Sequence, residues 1–266
     1  MSNSPKSQNN LSRFGFKIER GGAHSSRTMM LEELGAVLSY LNRPDAQKTD
    51  YLHAIDEENC LGKRSGKTRA LTFRHLVDLF TLDTSALLYR ALLYFWQRDP
   101  DGRPLLALLC AYSRDSILRS SASFLLPAHE GTTISRESLE EFIDEIEPGR
   151  FSPATLKSTA QNINSSWTQA GHLTGKVRKI RTRANPTPGA VSYALLLGYL
   201  TGARGESLFQ TEYTKLLDCS FERALSLAED ASRRGWITFK RIGNVIEVMF
   251  PNLITSEEME WVREQS

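Results

Sequence analysis

The sequence predicts a mainly α-helical protein. An N-terminal helical domain with a helix-turn-helix-like basic helix precedes two winged-helix modules with short β-hairpins. Three observations lead there. Apolar residues recur at helical spacing through residues 29–126. Leu156, Ala160, Ile163, Trp167 and Ala170 form a helical stripe just before a run that alternates Val177 and Ile180 with cations. The last segment repeats that plan, ending in two β-like runs, WITFKR and VIEVMF, around Ile242, Gly243 and Asn244. Helices followed by a hairpin match the winged helix, whose third helix enters the DNA major groove while the hairpin lies along the backbone.

In chain order, residues 1–10 (MSNSPKSQNN) are a polar, flexible tail without the apolar core of a signal peptide. The N-terminal domain spans 11–100 and contains MMLEELGAVLSYL, QKTDYLHAIDEENCLG, the basic helix from Ser65, and SALLYRALLYFWQRD. Asp99, Pro100, Asp101 and Gly102 form a turn. The middle module, 101–187, opens with a long apolar helix from Pro104 to about Leu126, broken by Pro127 and Gly131. Ser152 and Pro153 are an N-cap and first-turn pair for its next helix. The C-terminal module, 188–256, runs AVSYALLLGYL, TEYTKLLD, SFERALSLAEDASRRG and then the hairpin; residues 257–266 are a tail.

The stretch LGKRSGKTRALTFRHL ends in the Gly-Lys-Thr triplet of a P-loop. That motif needs four residues between its first Gly and the triplet, and only Lys63, Arg64 and Ser65 separate Gly62 from Gly66. Its lead-in is acidic and helical in period, where a P-loop requires a buried strand. What remains is a basic helix start: Ser65 as N-cap, Thr68 in the first turn, and Lys63, Arg64, Lys67, Arg69 and Arg74 as cations with no acid between them. A helix N-terminus attracts phosphate without a nucleotide pocket.

From residue 152 to residue 183 there is no acid, in contrast to the carboxylate-rich 137–147. The helix face opposite the apolar stripe offers Lys157, Ser158, Gln161, Asn162, Ser165 and Gln169. The wing that follows carries Lys176, Arg178, Lys179, Arg181 and Arg183. Amides pair bidentately with adenine edges, and the wing cations neutralise phosphates. The C-terminal hairpin adds Lys240 and Arg241, but Glu222, Glu229 and Asp230 on the helix before it would repel phosphate, a pattern equally suited to protein contact.

The net charge of +2 over 266 residues requires any nucleic-acid affinity to come from local clustering. Cys60, Cys110 and Cys219 form no CxxC pair, which fits a reducing cytosol and gives no zinc site. No apolar run reaches the roughly 18 residues of a membrane span. His24, His53, His75, His129 and His172 are scattered, at no triad or ligand spacing with Cys or Asp, and the acids of 137–147 read as a solvated helix face. The expectation is therefore a cytoplasmic, non-enzymatic protein without metal, cofactor or small-molecule substrate.

The run ENCLGKRSGKTRALTFRHLVDLF, with LLYRALLYFW and the leading FKIERGGAHSSRTMMLEELGAVL, resembles the BrxA family of bacteriophage exclusion (BREX) systems. The most specific part is Asn59, Leu61, Lys63, Arg64, Ser65 and Thr68. The resemblance covers most of the chain. It implies a mostly helical accessory protein of a bacterial antiphage assembly that binds double-stranded DNA, with RNA also possible, and that contacts other subunits of the assembly. The competing readings are a scaffold whose winged helices bind the larger subunits without direct DNA contact, and an RNA-binding, antitermination-like protein.

Overall fold

Helix starts follow the caps that the sequence offers. Ser65, Asp115, Ser135, Ser152, Thr187 and Ser220 each accept a backbone N–H from the first turn of the helix that follows. The computed structural model describes residues 11–243 and 245–263; the tail read over 1–10 and the turn residue Asn244 lie outside them. In order come α1 (Leu31–Leu41), α2 (Lys48–Leu52), α3 (Gly66–Phe80), α4 (Leu87–Arg98), α5 (Arg103–Tyr112) and α6 (Ser116–Leu125). Strand β1 (Thr133–Ile134), α7 (Arg136–Ile146), α8 (Pro153–Gln169), β2 (Leu173–Thr174) and β3 (Lys179–Arg181) follow. The chain continues through α9 (Pro188–Leu200), α10 (Glu212–Lys215), α11 (Phe221–Arg233), β4 (Thr238–Ile242), β5 (Val245–Met249) and α12 (Ser256–Arg263).

The protein is mainly helical with two small antiparallel sheets. One orders its strands β1-β3-β2, with Thr133 opposite Ile180 and Leu173 opposite Arg181; the other is the β4–β5 hairpin. The helix expected from Pro104 to about Leu126 is two helices. The break falls at Asp115, whose Oδ1 accepts the N–H groups of Ile117 and Leu118 at 3.0 Å and so starts a new helix. The apolar pattern runs through the break because both helices bury their stripes in the same core. Of the stretch 257–266, read as a tail, residues 257–263 form most of α12, and 264–266 lie outside the described residues. Glu258 anchors that helix, accepting from Arg90 Nη2 at 2.7 Å and from the Thr255 N–H at 2.8 Å.

Helix α9 is apolar on all sides and sits at the centre, packed against α4, α5, α10 and α11. Its first turn is capped from another part of the chain, because Asp99 Oδ2 accepts the Gly189 N–H at 2.7 Å. A Cβ on Gly189 would fall 2.5 Å from that carboxylate oxygen, so the contact requires glycine. The buried apolar residues before and after positions 100 and 187 belong to one cluster. No helix among the described residues is long and apolar enough to cross a membrane.

Candidate nucleic-acid interface

The basic start of α3 is built as its residues dictate, but its cations divide. Asn59, at φ 52°, accepts the Lys63 N–H on Oδ1 at 2.7 Å, and Ser65 Oγ accepts the Thr68 N–H at 3.2 Å. Four of the residues that carry the family resemblance, Asn59, Lys63, Ser65 and Thr68, thus shape a turn and a helix cap. Acids absent from the local sequence arrive from neighbouring elements: Lys63 Nζ lies 3.0 Å from Glu33 on α1, and Arg69 Nε lies 3.6 Å from Asp56. Arg64, Lys67 and Arg74 remain exposed, without an ion pair among the described residues. Lys67 and Arg74, seven residues apart, share a helix face.

The middle region forms a cleft of about 640 Å³. One wall is the start of α7 with Ser135, Arg136 and Glu137. The second is α8 with Gln161, Asn164 and Ser165, and the third is the β2–β3 turn with Lys176, Val177, Arg178 and Lys179. Gly175 makes the turn possible. It sits at φ +93°, and a Cβ there would meet the Arg178 carbonyl oxygen at 2.1 Å. Arg178 is held by Thr133 Oγ1, which accepts from Nε at 3.1 Å and Nη2 at 2.8 Å. Lys179 Nζ donates to the Gly175 carbonyl at 2.7 Å, and partial burial lowers the pKa of its ammonium. Lys176 has no ion pair among the described residues, and Val177 at the tip is 99% exposed.

Several residues of the expected interface lie elsewhere. Arg181 is only 3% exposed: its guanidinium faces inward and forms a bidentate pair with Asp218 at 2.8 and 2.9 Å, so it is not a wing cation. Arg183 is exposed but lies 3.3 Å from Glu130. On α8, Asn162 Nδ2 donates to the His24 carbonyl at 3.0 Å, and Gln169 Oε1 accepts the Leu31 N–H at 3.2 Å. Both amides therefore hold the N-terminal segment and do not face a groove. Ser158 donates to the Thr155 carbonyl within its own helix, and Lys157 is exposed. In the second hairpin Lys240 stands across from Glu247 at 3.7 Å, and Arg241 Nε donates to the Gly243 carbonyl.

Sequence reasoning missed Asn164, Thr133 and the α7 start as cleft residues. Asn164 and Ser165 follow Gln161 by three and four positions, a helical spacing that marks them as neighbours. It also missed a buried chain, Asp115–His24–Ser166, whose members stand at no spacing that the sequence could reveal. His24 Nδ1 lies 2.8 Å from Asp115 Oδ2, and Nε2 lies 2.9 Å from Ser166 Oγ. The order is that of a hydrolytic triad, but Ser166 is fully buried. Its Oγ donates to the Asn162 carbonyl and accepts the Met29 N–H, both at 2.8 Å, which leaves no face for a substrate. The chain pins residues 21–31 to α6 and α8. Burial alone would raise the Asp115 carboxyl pKa, but His24 and backbone N–H groups outweigh it and hold the carboxyl below its ordinary range.

His172, also buried, joins β2 to the segment after α10, its Nε2 lying 2.9 Å from the Leu216 carbonyl. Burial pushes its pKa down to about 4. Among the described residues, no group of three or more His, Cys, Asp and Glu side chains converges in a metal-binding arrangement. The chain matches no protein-family model, and no curated protein matches it in sequence.

Proposed function

We propose that this chain is a non-enzymatic nucleic-acid-binding protein. In this reading it contacts double-stranded DNA through the α8 cleft and serves as an accessory subunit of a BREX-type phage-defence assembly in the bacterial cytoplasm. The observation that carries the proposal is the cleft, where Gln161 and Ser165 face the cations of the β2–β3 turn across one concave surface. Hydrogen-bonding groups able to read bases and cations able to hold phosphate are the two components of a DNA contact. We read α8 with β2–β3, and α11 with β4–β5, as two winged-helix modules, the first turned to DNA and the second to protein. Arg64 just before α3, with Lys67 and Arg74 on it, supplies a second set of phosphate contacts.

The scaffold reading draws on a different observation. At the second hairpin, Ile242 and Val245 are 83% and 73% exposed while Lys240 is paired, a surface suited to protein contact. We assign that hairpin to the other subunits. Fluorescence anisotropy on a labelled blunt duplex tests the proposal, with the matched RNA duplex as competitor. Joint replacement of Lys176, Arg178 and Lys179 by Ala weakens binding about tenfold or more, equally for unrelated sequences. Absence of duplex binding by the parent protein leaves the scaffold reading in its place.

A further inference from the structure

We infer that the α8 cleft accommodates one unpaired nucleotide of a bound strand, its base against Asn164 and Gln161 and its phosphate between Lys176 and Arg178. The inference rests on the nucleic-acid reading above and specifies what enters the cleft.

Asn164 is 4% exposed, lines the cleft, and its Oδ1 has no hydrogen-bond partner among the described residues. A buried acceptor left unpaired is costly, and an N–H donor entering the cleft satisfies it once the Asn164 side chain turns toward the opening. Phosphate offers only acceptors and cannot satisfy it. The cations at the turn call for an anion. Their place cannot be taken by the start of α7, because Ser135 Oγ already accepts the Ser138 N–H at 3.0 Å and the Glu137 carboxylate accepts its own N–H. A ligand must therefore join an N–H donor to an anionic group, and a nucleotide does so through its base edge and its phosphate. Exposed Gln161 adds a second amide three positions before Asn164 on the same helix. Arg178, fixed by Thr133, presents a planar guanidinium at the wall, of the kind on which bases stack. The volume lies within the roughly 300–1,000 Å³ of small-molecule sites. A group as deeply set as Asn164 is out of reach of a base held in a duplex stack, so the nucleotide that meets it must be turned out of the stack.

The test compares a blunt duplex with the same duplex carrying a one-nucleotide bulge, by fluorescence anisotropy. The parent protein binds the bulged duplex about tenfold more tightly. Asn164→Leu abolishes that preference and leaves blunt-duplex affinity unchanged; Gln161→Ala abolishes it too, read as the ratio of bulged to blunt affinity, because Gln161 also faces a blunt duplex. Asn164→Leu also keeps the melting temperature, because no internal hydrogen bond of that side chain's Oδ1 is lost. Should Asn164→Leu fail to fold, exposed Gln161→Ala carries the test. Equal affinity of the parent for bulged and blunt duplexes overturns the inference and leaves the DNA reading standing; no binding to either overturns both. Displacement of the bulged duplex by equimolar free mononucleotide assigns the cleft to a free nucleotide and overturns the assignment to a strand.

Discussion

The two hairpins each follow a helix and carry cations near the turn, yet those cations meet different surroundings. At the β2–β3 turn Lys176 and Arg178 have no carboxylate partner among the described residues, and Arg178 is oriented by a threonine. At β4–β5 the register sets Lys240 across from Glu247, and the apolar Ile242 and Val245 occupy the tip. Within the first hairpin a further distinction appears: Arg181, two residues beyond Lys179, is buried against Asp218. The comparison shows that a run of cations acquires its role from the acids that the fold brings to it. Local charge count is the same currency in all three cases, and the outcome differs in each.

Arg181 provides the largest way to break this comparison. Arg181→Ala leaves Asp218 facing a buried gap and costs about 3–5 kcal/mol in urea unfolding. Lys176→Ala, at an exposed position of the same turn, changes stability by no more than about 0.5 kcal/mol. Equal, small effects for both would place Arg181 among the solvent-facing wing cations after all.

A smaller effect sharpens the structural half of the comparison. His172 sits beside the Arg181–Asp218 pair, with its folded pKa lowered to about 4 by burial. Between its ordinary value of 6.5 and that value, the unfolded chain binds a proton that the native state refuses. Stability therefore falls as pH drops through this window, by on the order of 3 kcal/mol from this residue. Unfolding curves of the parent and of His172→Gln, taken at pH 7 and pH 4, isolate the share. Identical pH dependence in the two proteins would contradict it.

These contrasts also mark what was legible in the sequence. Ser65 and Ser152 announce their helices because capping is local, and the apolar stripe of α8 fixes its buried face because period and burial coincide. The second hairpin was legible for the same reason, but Val177, read as part of an alternating strand with Ile180, lies in the β2–β3 turn, and β1 was not read at all. The helix break at Asp115 was not legible, since an unbroken apolar run hides a side-chain cap within it. Nor could the sequence separate Arg181 from Arg178, or Asn162 and Gln169 from Gln161. Their partners Asp218, His24 and Leu31 lie 37 to 138 positions away. The Asp115–His24–Ser166 chain was hidden by separations of 91 and 142 residues. The cleft itself needs the start of α7 as its far wall, which no pattern within α8 specifies.

The most direct measurement is the salt dependence of duplex binding for two variants, one from each hairpin. Each phosphate contact contributes a slope of about −0.9 in log K against log salt. Replacing Lys176, Arg178 and Lys179 by Ala flattens the parent slope by roughly two to three units, whereas replacing Lys240 and Arg241 by Ala moves it by less than about 0.5. An unchanged slope in the first variant, or the larger loss in the second, would contradict the assignment of nucleic-acid contact to the α8 cleft.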